Sequence, residues 1–494
     1  MSTSRLPPLT RLAGAIVAAL AAISDGHANV IVVDATCTLD KAIDSANFDG
    51  PVAGCAVAGS GRDTIKISGA STVLTDELPA IVSDIDFVGS GATPRTITGD
   101  GAHRLFFIGD AGSTPNVTFS NLAFNAGVAH GGNTVDGFDA GGGAGAGAGL
   151  GGALFVFSGH VGVSASTFAS NSAVGGIAAG YVRPGAGSDG SGSGGGGGMF
   201  GAGGAGGDES INGFNGGSGG FGGGGGGGGD TYPSENGGTN GGAGGGGAAF
   251  GGYGGTGGVA GGYGAGYGEF GGGGGGGGGS SGPSTPGQFG AAGGFGGGGG
   301  GGGAAGGNVN SFLAGAGGAG GFGAGGGAGG SSSAYGDGGL GGNGGFGAGA
   351  GAGGLGYHNG QSGAPGFGGG GVFEGGGGGG AAFGGAIFIR SGTLDLVGDQ
   401  FNDNSSTVGA SSGNPGLAKG GALFALHILG NDNGNDQGMP LALPEVTGCG
   451  NAFTGNAAPD AASTDVDNAS TFGTSRAALE QGCDAIFGNG FDPL

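Results

Sequence analysis

Residues 151–173 read GGALFVFSGHVGVSASTFASNSA, and residues 384–406 read GGAIFIRSGTLDLVGDQFNDNSS. The two stretches match in order: Gly-Gly-Ala, an aliphatic, Phe, a turn, an alternating strand, Phe, then Asn-Ser. Alternation of apolar and polar residues between Gly, Asp and Ser is the pattern of a short strand followed by a turn. Each stretch therefore reads as one rung of a parallel β-helix. Upstream, DTIKI (63–67), DIDFV (84–88) and RLFFI (104–108) recur about one 20-residue step apart. A repeat of that length built from short strands marks a solenoid.

Between the matched rungs lies a Gly-rich tract, residues 174–383. Phe-Gly recurs in it at Phe200, Phe221, Phe250, Phe270, Phe295, Phe322, Phe346, Phe367 and Phe383, at steps of 16 to 29 residues. Phe383 in FGGAIF takes the place of Leu150 in LGGALF. By extension, each Phe-Gly marks one turn of a degenerate solenoid, with the ring as its buried anchor. Two geometries satisfy the Gly runs. One is a thin β-helix with Gly-rich walls. The other is a polyglycine-II-like bundle, three residues per turn with ~3.1 Å rise, bonded between neighbours because such a helix has no internal bonds. A flexible Gly linker is the competing reading.

Of the 494 residues 156 are Gly, but without a strict G-X-Y period and with only 16 Pro, which excludes collagen. Charged residues make up 9%, against ~25% in ordinary globular proteins. Gly loses the most backbone entropy on ordering, so an ordered tract has to recover it through dense main-chain bonding.

The N-terminus carries Arg5, Arg11 and the apolar run LAGAIVAALAAI (12–23), too short to span a bilayer. With small residues at Gly26 and Ala28, it reads as a secretory signal peptide cleaved after Ala28. No other long apolar run follows, so no transmembrane segment is expected in the mature chain. Removing residues 1–28 leaves nine Lys and Arg against 33 Asp and Glu, a net charge of −24. That acidity argues against nucleic acid and anionic lipid as partners.

The four cysteines, Cys37, Cys55, Cys449 and Cys483, sit as one pair near each end. In an exported chain, proximity pairs Cys37 with Cys55 and Cys449 with Cys483. Each bridge would stabilise by roughly 3–4 kcal/mol in the chain-entropy picture. TLDKAIDSAN (38–47) places Leu39, Ala42, Ile43 and Ala46 on one helical face after Thr38, and SRAALEQG (475–482) forms a second short helix. Both read as caps over a solenoid's exposed ends.

CTLDKAIDSAN (37–47), followed by DTIKI and ELPAIVSDIDFVG, resembles the N-terminal C-S-L-R-E-A domain of bacterial secreted right-handed β-helix proteins of the polymorphic outer-membrane-protein type. Cys37, Leu39, Ala42, Ile43, Ala46 and Asn47 stand at family positions, while Thr38, Asp40 and Lys41 depart from it. The resemblance implies export to the surface of a Gram-negative bacterium and an adhesin-like role. The tail CDAIFGNGFDPL resembles short C-terminal tags of some Gram-negative secreted proteins. The chain has no C-terminal run of amphipathic strands like that of an autotransporter.

β-Helices include polysaccharide lyases and glycoside hydrolases, whose chemistry needs paired carboxylates or a base. Arg390, Asp395 and Asp399 form the best polar group on one rung, with Asp403 beyond it; surface charge on turns explains them better. His103, His130, His160, His358 and His427 share no ligand spacing. Asp432 and Asp436 in GNDNGNDQG (430–438) lack the order of an EF-hand loop, leaving a calcium turn or a plain polar loop. All seven Tyr (181, 232, 253, 263, 267, 335 and 357) lie in the Gly-rich tract, which places any stacking surface there. Asn121, Asn125, Asn171, Asn404, Asn451 and Asn456 near rung ends suit hydrogen-bond ladders.

The sequence thus reads as all-β: a right-handed parallel β-helix with a long Gly-rich central section and short capping helices. Its segments are signal peptide 1–28, N-terminal cap and rungs 29–173, Gly-rich tract 174–383, C-terminal rungs 384–448, and disulfide-linked cap and tail 449–494. The expected role is a non-catalytic, exported structural or adhesin-like protein that requires no cofactor. Its partners would be other cell surfaces, matrix polysaccharide or copies of itself. A polysaccharide-active enzyme is the alternative, and carbohydrate or ice binding a further one.

Overall fold

The structure is a computed structural model. It describes residues 29–56, 58–134, 143–178, 191–207, 219, 222–229, 253–258, 265–280, 286–305, 313–332 and 336–483. The expected signal peptide, Arg183, Phe221, Phe250, Tyr181, Tyr232, Tyr263, Tyr335 and the tail 484–494 lie outside the described residues.

The described chain is mostly β, and every pairing between its named strands is parallel. A seven-stranded sheet runs, in order, through Val30–Val33, Asp63–Ile67, Ile85–Gly89, Asn116–Ser120, His160–Ser164, Thr393–Val397 and Glu445–Cys449. A five-stranded sheet joins Phe106–Ile108, Leu154–Val156, Ile387–Ile389, Leu423–Ala425 and Thr471–Phe472. One six-stranded and two three-stranded sheets complete the set. Spatial order follows sequence order in each sheet, so the chain visits the sheets in turn and comes back one layer further on.

The two quoted stretches are adjacent layers. Leu154 pairs with Ile387, Val161 with Leu394, Phe168 with Phe401 and Ser172 with Ser405. The Gly-rich tract therefore leaves the stack after one layer and re-enters at the next.

Inside the stack, alternate residues turn inward. Ile65, Phe87, Phe119, Val163 and Leu396 are buried and stand over one another in register as one apolar column. Phe124, Phe168, Phe401 and Phe453 form a stacked column with centroids 4.5, 4.8 and 4.7 Å apart. Such offset aromatic stacking adds to the gain from burial.

Helix α1 (Leu39–Phe48) buries Leu39, Ala42, Ile43 and Ala46, the face read from the sequence. Thr38 precedes it but makes no side-chain cap bond. Helix α2 (Arg476–Glu480) is capped by Ser475, whose hydroxyl accepts from the Ala478 N–H at 3.1 Å. The disulfides Cys37–Cys55 and Cys449–Cys483 are both formed.

In the Gly-rich tract the main chain bonds at intervals of three residues. Gly296, Gly299, Gly302 and Ala305 donate to Phe322, Gly325, Ala328 and Ser331. Gly297, Gly300 and Gly303 donate to Gly294, Ala291 and Gln288, and Gly298, Gly301 and Ala304 to Gly222, Gly225 and Gly228. Carbonyls of the same segment accept from Gly274 and Gly277, from Gly196 and Ser193, and from Gly321, Gly318 and Gly315. One extended segment thus bonds six neighbours, all at 2.7–3.2 Å. A three-residue interval with bonds directed outward is what three-residue-per-turn extended segments produce. The packing needs Gly: a Cβ on Gly299 would lie 2.0 Å from the Gly318 carbonyl oxygen.

Phe-Gly plays a different part from the one its resemblance to Leu150 suggests. Phe383 and Leu150 lie in paired strands. At Phe270, Phe295, Phe322, Phe346 and Phe367, by contrast, Phe-Gly reverses the chain. Each following Gly has φ between 73° and 80°, and each turn closes with an N–H to carbonyl bond across four residues, as from Gly297 to Gly294. A positive φ at the third residue is the demand of a type II turn, which Gly meets without steric cost. The repeat unit is accordingly a hairpin of two antiparallel segments. At these five positions the expectation of one solenoid turn per Phe-Gly is corrected to one hairpin tip.

The hairpin tips stack. Phe270, Phe295, Phe322, Phe346 and Phe367 follow one another at 5.0, 5.2, 4.9 and 5.6 Å, within 12° of parallel. They face a second column on the five-stranded sheet: Phe107, Phe155, Phe388, Phe424 and Phe472, at 4.7, 5.2, 5.2 and 4.8 Å. That sheet turns Leu154 and Val156 into the stack's interior and Phe155 towards the tips, so the three residues of that strand are all apolar. The Gly-rich bundle is joined to the β-stack along this double aromatic seam.

Candidate functional site

The best polar group in the sequence is dispersed. Arg390 is 8% exposed and spans the aromatic seam. Its Nε donates to the Gly438 carbonyl at 2.7 Å and its Nη1 to the Phe157 carbonyl at 3.1 Å, with the guanidinium 4.1 Å from the Phe157 ring centre. Burial lowers its pKa to about 10, so it stays charged at neutral pH. Arg104 is held in the same way, donating to the Leu150 and Gly151 carbonyls and lying over Phe155 and Phe200. Buried guanidinium on ring faces is cation–π packing.

Asp395 is exposed on the seven-stranded sheet and accepts from the Thr447 hydroxyl at 3.1 Å. Asp403 is exposed at a turn with φ 54°. Asp399 is fully buried and accepts from the N–H groups of Ser166 and Val397. The three carboxylates share no partner.

The histidines are likewise scattered. His160 pairs with Thr393 and His358 with Asp337, both at 2.8 Å. His103 stands 4.0 Å from Glu77, and His427 packs edge-on to Phe472 at 4.9 Å. Burial lowers the pKa of both His130 and His427. Among the described residues no group of three or more His, Cys, Asp or Glu is placed to hold a metal ion.

Asparagines form a ladder. The Asn171 side-chain amide donates to Asn404 Oδ1 and that of Asn404 to Asn456 Oδ1, both at 2.9 Å. A second line of side-chain acceptors passes from Ser166 to Asp399 to Asn451, each but the first taking the preceding residue's N–H. Asn121 instead closes a turn onto the Gly89 and Gly91 carbonyls. Asn125 sits in the six-stranded sheet paired with Ala169.

The GNDNGNDQG loop is a strap over the hairpins. Amides at alternate positions reach successive tips: Gln437 to the Gly293 carbonyl, Asn435 to Gly320 at 2.8 Å, and Asn433 to Gly344 at 2.8 Å and Pro365 at 3.0 Å. Asn431 Oδ1 accepts the Phe367 N–H, and Asp436 holds the loop by accepting the Asn431 N–H at 2.6 Å. Its signal in the sequence is the two-residue spacing of the amides Asn431, Asn433, Asn435 and Gln437.

One outer face of the bundle is formed by residues 286–294, 313–321, 337–345 and 358–366. The N–H groups of Gly290, Gly317 and Gly341 bond across to Ala316, Leu340 and Gln361, aligning the four segments. The three-residue turn then puts side chains outward in rows. Phe289, Ala316, Leu340 and Gln361 make one row; Ala292, Ala319, Asn343 and Ala364 make the next, nearer the tips. Along a segment these rows repeat every ~9 Å, three steps of ~3.1 Å. Phe289 is 69% and Leu340 54% exposed. The described tyrosines Tyr253, Tyr267 and Tyr357 are exposed as well.

No protein-family model, curated protein or solved structure matches this chain.

Proposed function

We propose that this is a non-catalytic protein of the cell exterior that offers the outer face of its Gly-rich bundle to another surface, to matrix polysaccharide or to copies of itself. In this reading the parallel-strand stack is a right-handed β-helix opened by a C-S-L-R-E-A-type cap, and the tract is a polyglycine-II-like bundle carried on its flank. Residues 1–28 direct export to the surface of a Gram-negative bacterium. The two disulfides accord with an oxidising compartment.

The observation that carries the reading is the flat array of side chains at every third residue on that outer face. Apolar residues exposed together in this way mark interaction surfaces. The polar residues of the rung favour it too, since Arg390 is committed to the aromatic seam and Asp399 to the line of side-chain acceptors. The test is attachment of the native host to surfaces and to its own matrix, compared with a strain carrying Phe289→Glu and Leu340→Glu. Loss of attachment with unchanged export supports the proposal. Unchanged attachment, or depolymerisation of a glycan by the purified chain, overturns it.

A further inference from the structure

Resting on the reading that this face is the functional surface, we propose that its occupant is the same face of a second copy of the chain, docked about a two-fold axis. Three observations converge. An interior segment such as 297–305 bonds six neighbours, whereas the outer segments keep part of that pattern open. Among the described residues the N–H groups of Phe289, Ala316 and Leu340 and the carbonyls of Gly290, Gly317 and Gly341 meet no partner in the chain. These are donors and acceptors at the spacing the bundle itself uses to add a segment. An exposed sheet edge templates further strands for the same reason.

The strap shows that added chain fits here. It covers the outward carbonyls of Gly293, Gly320, Gly344 and Pro365, one row nearer the tips. The row formed by Gly290, Gly317 and Gly341 continues that surface and is left open by the same chain.

Relief and charge select the occupant. Phe289 and Leu340 form ridges on either side of the lane through Ala316, so a ridge of one copy fits the lane of the other. A two-fold contact of this kind is self-complementary and closes at two. The chain carries a net charge of −23, which keeps copies apart. Among the described outward positions of this face the charge is confined to Asp337, already paired with His358 at 2.8 Å. The face is thus the place where like-charged copies approach at least cost.

The experiment is sedimentation of the purified, exported chain across a concentration series, with hydrogen exchange as a second readout. A monomer–dimer equilibrium is expected, with slowed exchange at Phe289, Ala316 and Leu340 on dimerisation. Phe289→Glu and Leu340→Glu should each weaken the dimer at least tenfold. Val397→Glu, on the exposed face of the seven-stranded sheet, should leave it unchanged. A chain that stays monomeric, or a dimer that both variants leave intact, overturns the proposal. So does a monomeric wild type that retains a soluble polysaccharide which both variants lose, since the face is then a sugar platform. Dimerisation that both variants weaken, with attachment by the variant host unaltered, overturns the reading of this face as an attachment surface and leaves the dimer standing.

Discussion

Phe155 and Phe388 stand on opposite sides of the Gly-rich tract in the sequence, and their rings stack at 5.2 Å and 17°. The strands that carry them pair in register. The β-stack is therefore continuous across the point where the tract is inserted. Joining Val174 to Ala382 through a short Gly-Asn-Gly link should preserve the stack. Circular dichroism should keep its β signature and a cooperative melt. The excised chain would expose Phe107, Phe155, Phe388 and Phe424 in a row, so aggregation is expected until Phe155 and Phe388 are replaced by Thr. Loss of β signal in the Thr version would refute the continuity.

Phe322 touches Phe295, Phe346 and Phe388 and is fully buried. Phe322→Ala should cost about 3–5 kcal/mol, the range for deleting a buried ring. Hydrogen exchange should rise at Gly299, Gly325 and Gly326, while the column Phe124–Phe168–Phe401 stays protected. Phe289→Ala, on the outer face, should change stability by less than about 0.5 kcal/mol.

Two glycines should fail for different reasons. Gly323 has φ 75° at a turn, and its substitution by Ala carries the left-handed penalty of about 1–2 kcal/mol together with a Cβ 2.8 Å from Met199 Sδ. Met is adaptable, so the fold should survive. At Gly299 the obstacle is the Gly318 carbonyl oxygen, 2.0 Å from any Cβ. Backbone cannot retreat without breaking its bonds, so Gly299→Ala should open the bundle locally. Hydrogen exchange of the two variants separates the outcomes; equal protection would refute the packing argument.

Burial pushes the pKa of Asp399 up to about 7, against 3.8 in the unfolded chain. The folded state then holds the proton more tightly than the unfolded one. The stabilisation is complete below pH ~4 and is lost as pH rises through about 7. A difference of that size is on the order of 4 kcal/mol. Asn451, one layer on, fills the same role with an amide that does not titrate. Asp399→Asn should therefore raise the urea midpoint at pH 8 and leave it nearly unchanged at pH 4. Equal effects at both pH values would refute the assignment.

Much of this was legible in residues 151–173 and 384–406. Matched order marks both stretches as layers of one stack, and Leu39, Ala42, Ile43 and Ala46 mark the buried helical face; that the two layers are adjacent is not legible, because the Phe-Gly spacing reads as further turns between them. Asn171, Asn404 and Asn456 revealed their ladder because stacked layers place equal residues above one another. Phe-Gly was harder. Composition identifies Gly as a backbone that packs on backbone, but the same Phe-Gly serves a strand at Phe383 and a type II turn at Phe322. The difference lies in whether a four-residue turn closes, and that depends on neighbours distant in sequence. The seam was hidden for a related reason: Phe155 faces outward on its strand, and only the tips of another segment make that side apolar. Arg390 misled because a charge on a rung looks solvent-borne until rings arrive from the tract to cover it.

The strap brings a matter of timing. Asn433, Asn435 and Gln437 lie downstream of every hairpin they fasten, so a ribosome finishes all of the loops before it delivers the latch. A chain cut short of residue 430 possesses the whole bundle and none of these clasps. The strap thus arrives only after the hairpins have been made, and the bundle stays unfastened until it does.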